Sequence, residues 1–156
     1  MQSEMTDPKT AIKQLKIIYF GLIAGLIFFS LILFAISRDK LFFKPNFTDI
    51  FVIPIVLLMF IIVPIGYYYF QKTIKNLNPD LSVKDKMAVY VPAFLVKTAT
   101  CEGVCLFTIV CALITTNLFY MVFFLIAFAV LLSYYPSVNK VGNELGLHPS
   151  EIDELN

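Results

Sequence analysis

The sequence has no tryptophan, a single histidine and few charged residues. Only 15% of its 156 residues are charged, against about 25% in ordinary soluble domains. Hydrophobic residues make up 59% of the chain, and the mean hydropathy is +0.82. A soluble protein of this length could not bury so many apolar side chains. We therefore predict that lipid surrounds most of the chain.

The scarcity of histidine and of catalytic motifs excludes several functions. His148, the only histidine, lies near the C-terminus, so a pair of histidines cannot hold a haem within the apolar segments. A Gly-rich phosphate loop, a nucleophile elbow and a CxxC pair are also missing from the sequence. We expect no cofactor and no enzymatic activity.

Cysteine and charge give equally little reason to expect metal or nucleic acid. Cys101, Cys105 and Cys111 all fall in one apolar segment, and their odd number argues against a disulfide framework. A metal site needs at least three well-placed ligands, but only Cys101 and Cys105 share a helix face closely. The net charge is +1, without a run of basic residues that would bind a nucleic acid.

Four apolar segments predict four transmembrane helices, at about residues 17–36, 50–70, 96–115 and 118–135. Each has ~18–21 residues, which is enough to cross a hydrocarbon core of about 30 Å. Barrel strands would be shorter and would alternate in polarity. The predicted fold is therefore an all-α integral membrane protein. Residues 1–135 would form an antiparallel four-helix bundle, and residues 136–156 a short acidic cytoplasmic tail.

Lysine and arginine are unevenly distributed around these segments. Leaving aside Lys97, the N-terminal flank, the second loop and the tail together carry 8, whereas the first loop carries 3. The positive-inside rule then places both termini in the cytoplasm, which in a bacterium implies the inner membrane. The tail is acidic and the second loop is basic. Two alternatives stay open for the tail: it docks on this loop, or it is solvated and partly frayed.

Proline and a capping pattern predict where helices bend and begin. Pro64 lies inside the second segment and predicts a kink near residues 60–64. Ser82 and Asp85 resemble a capping box, so a helix is expected to begin at Val83. If that helix continues to Thr115, it is longer than the bilayer requires.

The third segment opens on an unusual polar stretch, KTATCEGVC, residues 97–105. Lys97 is expected at the interface, where its aliphatic stem can reach the headgroups. Glu102 lies about 8 Å deeper, beside Thr98. One interpretation makes Glu102 a proton, cation or ligand site, with Thr98 and Lys97 close by. The other makes Glu102 a fastener that bonds to a hydroxyl, a backbone carbonyl or Lys97.

Small residues predict a packing seam between the first and third segments. One face of the third segment carries small side chains at helical spacing, namely Thr98, Cys101, Cys105 and Thr108. In the first segment, Gly21 and Gly25 form a GxxxG pair, which lets another helix approach closely. We predict that the two surfaces pack together.

Two families resemble parts of this pattern. Four spans with one embedded acid resemble the duplicated proteolipid subunits of rotary ATPases, in which a membrane carboxylate carries the ion. The chain departs from those subunits in having 6 glycines in all. The run KTATCEGVCLFTIVCALITTNLF followed by YYPSVNKVGNELGLHPSEID resembles small uncharacterised bacterial four-span membrane proteins. That resemblance implies a fold and a membrane, without an activity.

Two functions of different classes follow. In the first, the chain is a non-enzymatic membrane protein that acts through helix–helix association. Its partners would be the lipid bilayer, a second copy of the chain or other membrane proteins in a larger complex. In the alternative, it is a proton- or cation-coupled transporter centred on Glu102.

Overall fold

The computed structural model describes residues 7–38 and 40–155, except for the side chain of Glu154. Over these ranges the fold is all-helical, as predicted. The α-helices are α1 (Pro8–Ser37), α2 (Val52–Leu57), α3 (Val63–Lys75), α4 (Val83–Thr115), α5 (Phe119–Ser133), α6 (Val138–Glu144) and α7 (Pro149–Ile152). A π-helical turn (Leu58–Ile62) joins α2 to α3, and a 3-10 turn (Asp153–Leu155) follows α7.

Three helical segments are long and apolar enough to cross a membrane: α1, the continuous stretch Val52–Lys75, and α4. The predicted fourth span is shorter than expected, because α5 ends at Ser133 after 15 residues, about 22 Å of helix. The chain then bends by 79° into α6. Pro136 explains the break, since the residue before a proline disfavours helical backbone. A fourth crossing is present only if α5 and α6 count as one bent span.

Large apolar side chains cover the outside of the protein. Ile50 is 77% exposed, Phe60 74% and Ile36 70%, and many other phenylalanine, leucine and isoleucine side chains are exposed in the same way. Monomeric soluble proteins rarely expose contiguous apolar patches of this extent. The surface therefore suits lipid chains.

The helix α4 is the centre of the packing. The most extensive interfaces between helices in the described chain are those of α4 with α5, with α3 and with α1. Its start at Val83 and its end at Thr115 match the prediction. The capping interaction is also present, since the Asp85 N–H donates to Ser82 Oγ at 3.2 Å. Thr116 ends the helix in the left-handed region, with φ of 56°.

The irregularity predicted near Pro64 takes the form of the π-helical turn Leu58–Ile62. Pro64 has no N–H, so the regular hydrogen-bond pattern cannot continue through it. The Val63 N–H donates instead to the carbonyl of Leu58, five residues back. A single wide turn of this kind absorbs the proline without ending the helix.

Asn117 fastens the loop after α1 to the short loop between α4 and α5. Its Nδ2 donates to the Lys44 carbonyl at 2.8 Å. Its Oδ1 accepts from the N–H groups of Lys44, at 3.1 Å, and Phe119, at 3.0 Å. Backbone bonds between Phe42 and residues 116 and 118 add an isolated bridge beside it. The long first loop is therefore held against the end of the α4–α5 pair.

The close approach between helices occurs at Gly66, whereas it was predicted at Gly21 and Gly25. A Cβ on Gly66 would lie 2.8 Å from Cγ2 of Thr100, so α3 and α4 could not pack as they do. A Cβ on Gly21 or Gly25 would meet open space. The predicted seam between the first and third spans is wrong in this respect. The reason is that α1 packs through the stripe of larger residues Ile12, Leu15, Tyr19, Leu26 and Leu33.

The C-terminal tail is folded against the helices. Val141 and Leu155 are buried, and the 3-10 turn that contains Leu155 packs on α1. A Cβ on Gly142 would lie 2.7 Å from Cγ1 of Ile152, which shows how closely α6 and α7 approach. The tail is therefore folded rather than frayed, and its contacts are with α1 and, through the bond between Glu144 and Tyr90, with α4. Docking on the basic second loop stays a prediction.

Replacing Asn117 with Ala should destabilise the protein by about 1–3 kcal/mol, because three hydrogen bonds are lost and buried backbone groups lose their partner. The free energy of unfolding in mild detergent measures this. Asn46→Ala in the same loop is the matched control. Asn46 is exposed, so its replacement should cost less than about 0.5 kcal/mol. Equal costs for the two variants would contradict the anchoring role of Asn117.

Replacing Gly66 with Ala should cost about 1–3 kcal/mol of unfolding free energy, because the new methyl group meets Thr100. The same substitution in a Thr100→Ala background should cost much less. Gly21→Ala is the control, and should be neutral or stabilising by up to about 1 kcal/mol, since alanine favours a helix more than glycine does. An equal cost of Gly66→Ala in both backgrounds would argue against the contact.

Candidate functional site

Glu102 lies at the edge of the buried face of α4. Its neighbours in sequence show this position, since Cys101 is fully buried, Glu102 is half-buried and Gly103 is exposed. A Cβ on Gly103 would meet open space. The carboxylate therefore sits where the packed interior of the protein meets its apolar outer surface.

The hydroxyl groups of the polar stretch are already bonded to their own helix. Thr98 Oγ1 donates within α4 to the carbonyls of Phe94 and Leu95, at 3.0 and 3.1 Å. Thr100 Oγ1 donates to the Lys97 carbonyl at 2.8 Å, and Thr108 Oγ1 to that of Cys105 at 2.8 Å. A hydroxyl has one proton to donate, so these groups are not free to donate to Glu102. The polar stretch does not form one connected network around the acid.

The small face of α4 is fully buried, as its spacing predicts. Thr98, Cys101, Cys105 and Thr108 all have no exposed surface. The contact shown by a hydrogen bond is with α5, where Cys101 Sγ donates to the Ala127 carbonyl at 3.4 Å. These cysteines are free thiols. They act as small side chains that let α5 approach α4, which is the role predicted for them with α1 as the partner.

Lys97 is enclosed by aromatic rings. Its ammonium lies 3.7 Å from the ring centre of Phe70, 4.8 Å from that of Tyr134 and 5.0 Å from that of Phe94. We call these three rings the aromatic box. They come from α3, from the end of α5 and from α4 itself, so one cation contacts three helical segments. A desolvated cation over aromatic faces gains about 2 kcal/mol.

This placement corrects the prediction that Lys97 reaches lipid headgroups. The side chain is 1% exposed and points into the protein. The physical reason is its position on α4: it lies one helical turn before Cys101 and one after Phe94, both of which face the interior. An interior lysine needs compensation for its lost hydration, and the aromatic box supplies it.

The tail approaches this end of the bundle through charged and polar groups. Tyr90 Oη donates to Glu144 Oε2 at 2.5 Å, which ties α4 to α6. Lys140 Nζ donates to the Ser133 carbonyl at 2.7 Å and so covers the end of α5. Glu144 also attracts the Lys97 ammonium electrostatically, whereas Lys140 repels it. The tail therefore completes the surroundings of the buried cation.

Sequence reasoning missed the partners of Lys97. Phe70, Tyr134 and Glu144 are far from it along the chain. The sequence signal for this level is a pair of tyrosine clusters, 67–69 and 134–135, which end the second and fourth apolar segments, as interfacial tyrosines do. Glu102, Thr98 and Lys97 were predicted as one site. The structure places Lys97 and Thr98 inside the protein and Glu102 at its edge.

The described residues contain no group of three or more His, Cys, Asp or Glu side chains placed to hold a metal ion. Comparison of the chain with known protein families, with curated proteins and with solved structures gives no match.

The aromatic box gives a testable coupling. Replacing Lys97 with Met and Phe70 with Leu, singly and together, should reveal a coupling of about 0.5–2 kcal/mol in the free energy of unfolding. The same cycle with Phe124, a buried phenylalanine farther along α5, should be additive within about 0.5 kcal/mol. Additive behaviour in the Phe70 cycle would show that the ring does not hold the ammonium.

Proposed function

We propose that the chain is a multi-pass membrane protein that acts without enzymatic chemistry, through helix–helix association with itself or with partner membrane proteins. The half-buried Glu102 at the outer edge of α4 carries this proposal. An acid at this depth costs a few kcal/mol if lipid is its only neighbour. The nearby hydroxyls donate to backbone carbonyls, so polar groups of an associated helix are the best remaining partners.

The proposed topology has four spans in antiparallel order, with both termini in the cytoplasm. The order of contacts along the helices supports it. Lys97 lies near Tyr134 and Cys101 near Ala127, so α4 and α5 run in opposite directions. The excess of lysine and arginine in the N-terminal flank, the second loop and the tail together, 8 against 3 in the first loop, supports the orientation. Span four would be α5, completed by the bent α6 at the interface.

The surface beside Glu102 suits an associated helix. Gly103 is exposed next to it and has no side chain that would keep a neighbouring backbone away. The rest of the outer face of α4 is apolar, with Val96 43% and Val110 46% exposed. A second helix could therefore pack on an apolar strip and satisfy one carboxylate at its centre.

Replacing Glu102 with Leu should weaken self-association in lipid vesicles by roughly 3- to 30-fold, the effect of losing an interhelical hydrogen bond worth about 0.6–2 kcal/mol. Energy transfer between labelled copies at increasing dilution in lipid measures the dissociation constant. Ile36→Ala, an exposed side chain near the C-terminal end of α1 and outside this strip, is the control and should leave association nearly unchanged.

The variant Glu102→Gln separates association from transport. Glutamine can still form an interhelical hydrogen bond, so association should be retained. Proton or cation flux into liposomes that depends on Glu102 and is abolished by Gln would favour the transport alternative. If wild type and Glu102→Leu associate equally weakly, and no membrane protein copurifies with the wild type alone, the association proposal fails.

A further inference from the structure

A groove of about 260 Å³ lies where the start of α1 meets the folded tail. Lys9, Lys13 and Lys16 line it on one side. Its floor is apolar and consists of Ile12 from α1 with Val138 and Leu155 from the tail. Lys9 and Lys13 are exposed and Lys16 is half-buried, so three ammonium groups border an apolar surface.

On the same face of α1, the three lysines are followed by a stripe of exposed apolar residues. Residues 9, 13, 16, 20, 27 and 31 lie within about 60° of one another around the helix axis, at 100° per residue. Phe20 is 56% exposed, Ile27 47% and Leu31 61%. The face is therefore cationic over its first two turns and apolar for the rest of its length.

The boundary between the two parts falls at a membrane-interface level. Lys16 directly precedes Ile17, the first residue of the apolar segment. Phe20 lies 5.9 Å from the ring of Tyr135, which belongs to the tyrosine pair at the end of α5. Tyrosine commonly marks the headgroup region. The three lysines thus stand at and just beyond the depth at which lipid phosphates lie.

We propose that this face of α1 binds an anionic phospholipid of the adjacent leaflet. The phosphate would lie between Lys13 and Lys16, and the acyl chains would follow Phe20 and Ile27 towards Leu31. The shape and polarity of the stripe match those of a lipid: a charged end next to an apolar length. Asp7 and Asp153 are exposed acids close in sequence to residues of the groove. Their negative charges offset part of the attraction that the lysines exert on an anionic lipid.

The test uses the full chain in mild detergent, titrated with phosphatidylglycerol and with phosphatidylcholine of identical acyl chains. Native mass spectrometry counts the bound lipids. We expect the wild type to prefer phosphatidylglycerol. Each Lys→Gln replacement at positions 9, 13 and 16 should reduce that preference by roughly 5-fold, which corresponds to about 1 kcal/mol per lysine near an anionic surface.

A matched variant of equal net charge provides the control. Lys72→Gln, Lys75→Gln and Lys84→Gln together remove three positive charges near the same end of the bundle, and should leave the preference intact. The proposal is overturned if the wild type has no preference, or if this control loses it as fully as the combined variant Lys9→Gln, Lys13→Gln and Lys16→Gln does. The first result would indicate that the tail carboxylates already neutralise the groove, and the second that only the total charge matters. Glycerol phosphate, which has no acyl chains, should compete only weakly with phosphatidylglycerol for binding. If it competes as strongly as the lipid does, the apolar stripe does not contribute to binding.

Discussion

Burial of the polar groups of α4 is the constraint on which the rest of the fold depends. This helix is 33 residues long, and its buried residues include Lys97, two threonines and three cysteines. In an apolar environment each of these groups needs a partner. The threonines use their own helix, Cys101 uses α5 and Lys97 uses three rings. The positions of α3 and α5 against α4 follow from this requirement as well as from apolar contact.

Charge near the buried lysine adds to the apolar contacts that hold the tail against the helices. Aromatic faces stabilise a cation but do not neutralise it. Glu144 supplies negative charge from α6, and its bond to Tyr90 holds it in place. The bend after α5 is what brings α6 back over the end of the bundle. A helix that ran straight on from α5 through residue 144 would carry Glu144 away from Lys97.

Local chemistry was predictable from the sequence, whereas the choice of facing surfaces was not. Ser82 and Pro64 act on neighbouring residues, so the start of α4 and the irregularity before α3 could be located in advance. Gly21 and Gly25 form a recognisable motif, but a motif does not tell which helix, if any, lies against it. The role of Gly66 depends on Thr100 of another helix. The aromatic box likewise joins residues that only the folded chain brings together.

Lys97 and Glu102 show how five residues on one helix lead to opposite outcomes. A shift of five positions turns the side chain by about 140° around the axis, from the packed interior to the edge of the outer surface. The lysine is compensated within the chain by rings and by Glu144. The acid lies beside an exposed glycine, next to hydroxyls that are already bonded. A polar group of an associated helix, from a second copy or another protein, is therefore the simplest partner for the Glu102 carboxylate. This is the basis of the proposed association.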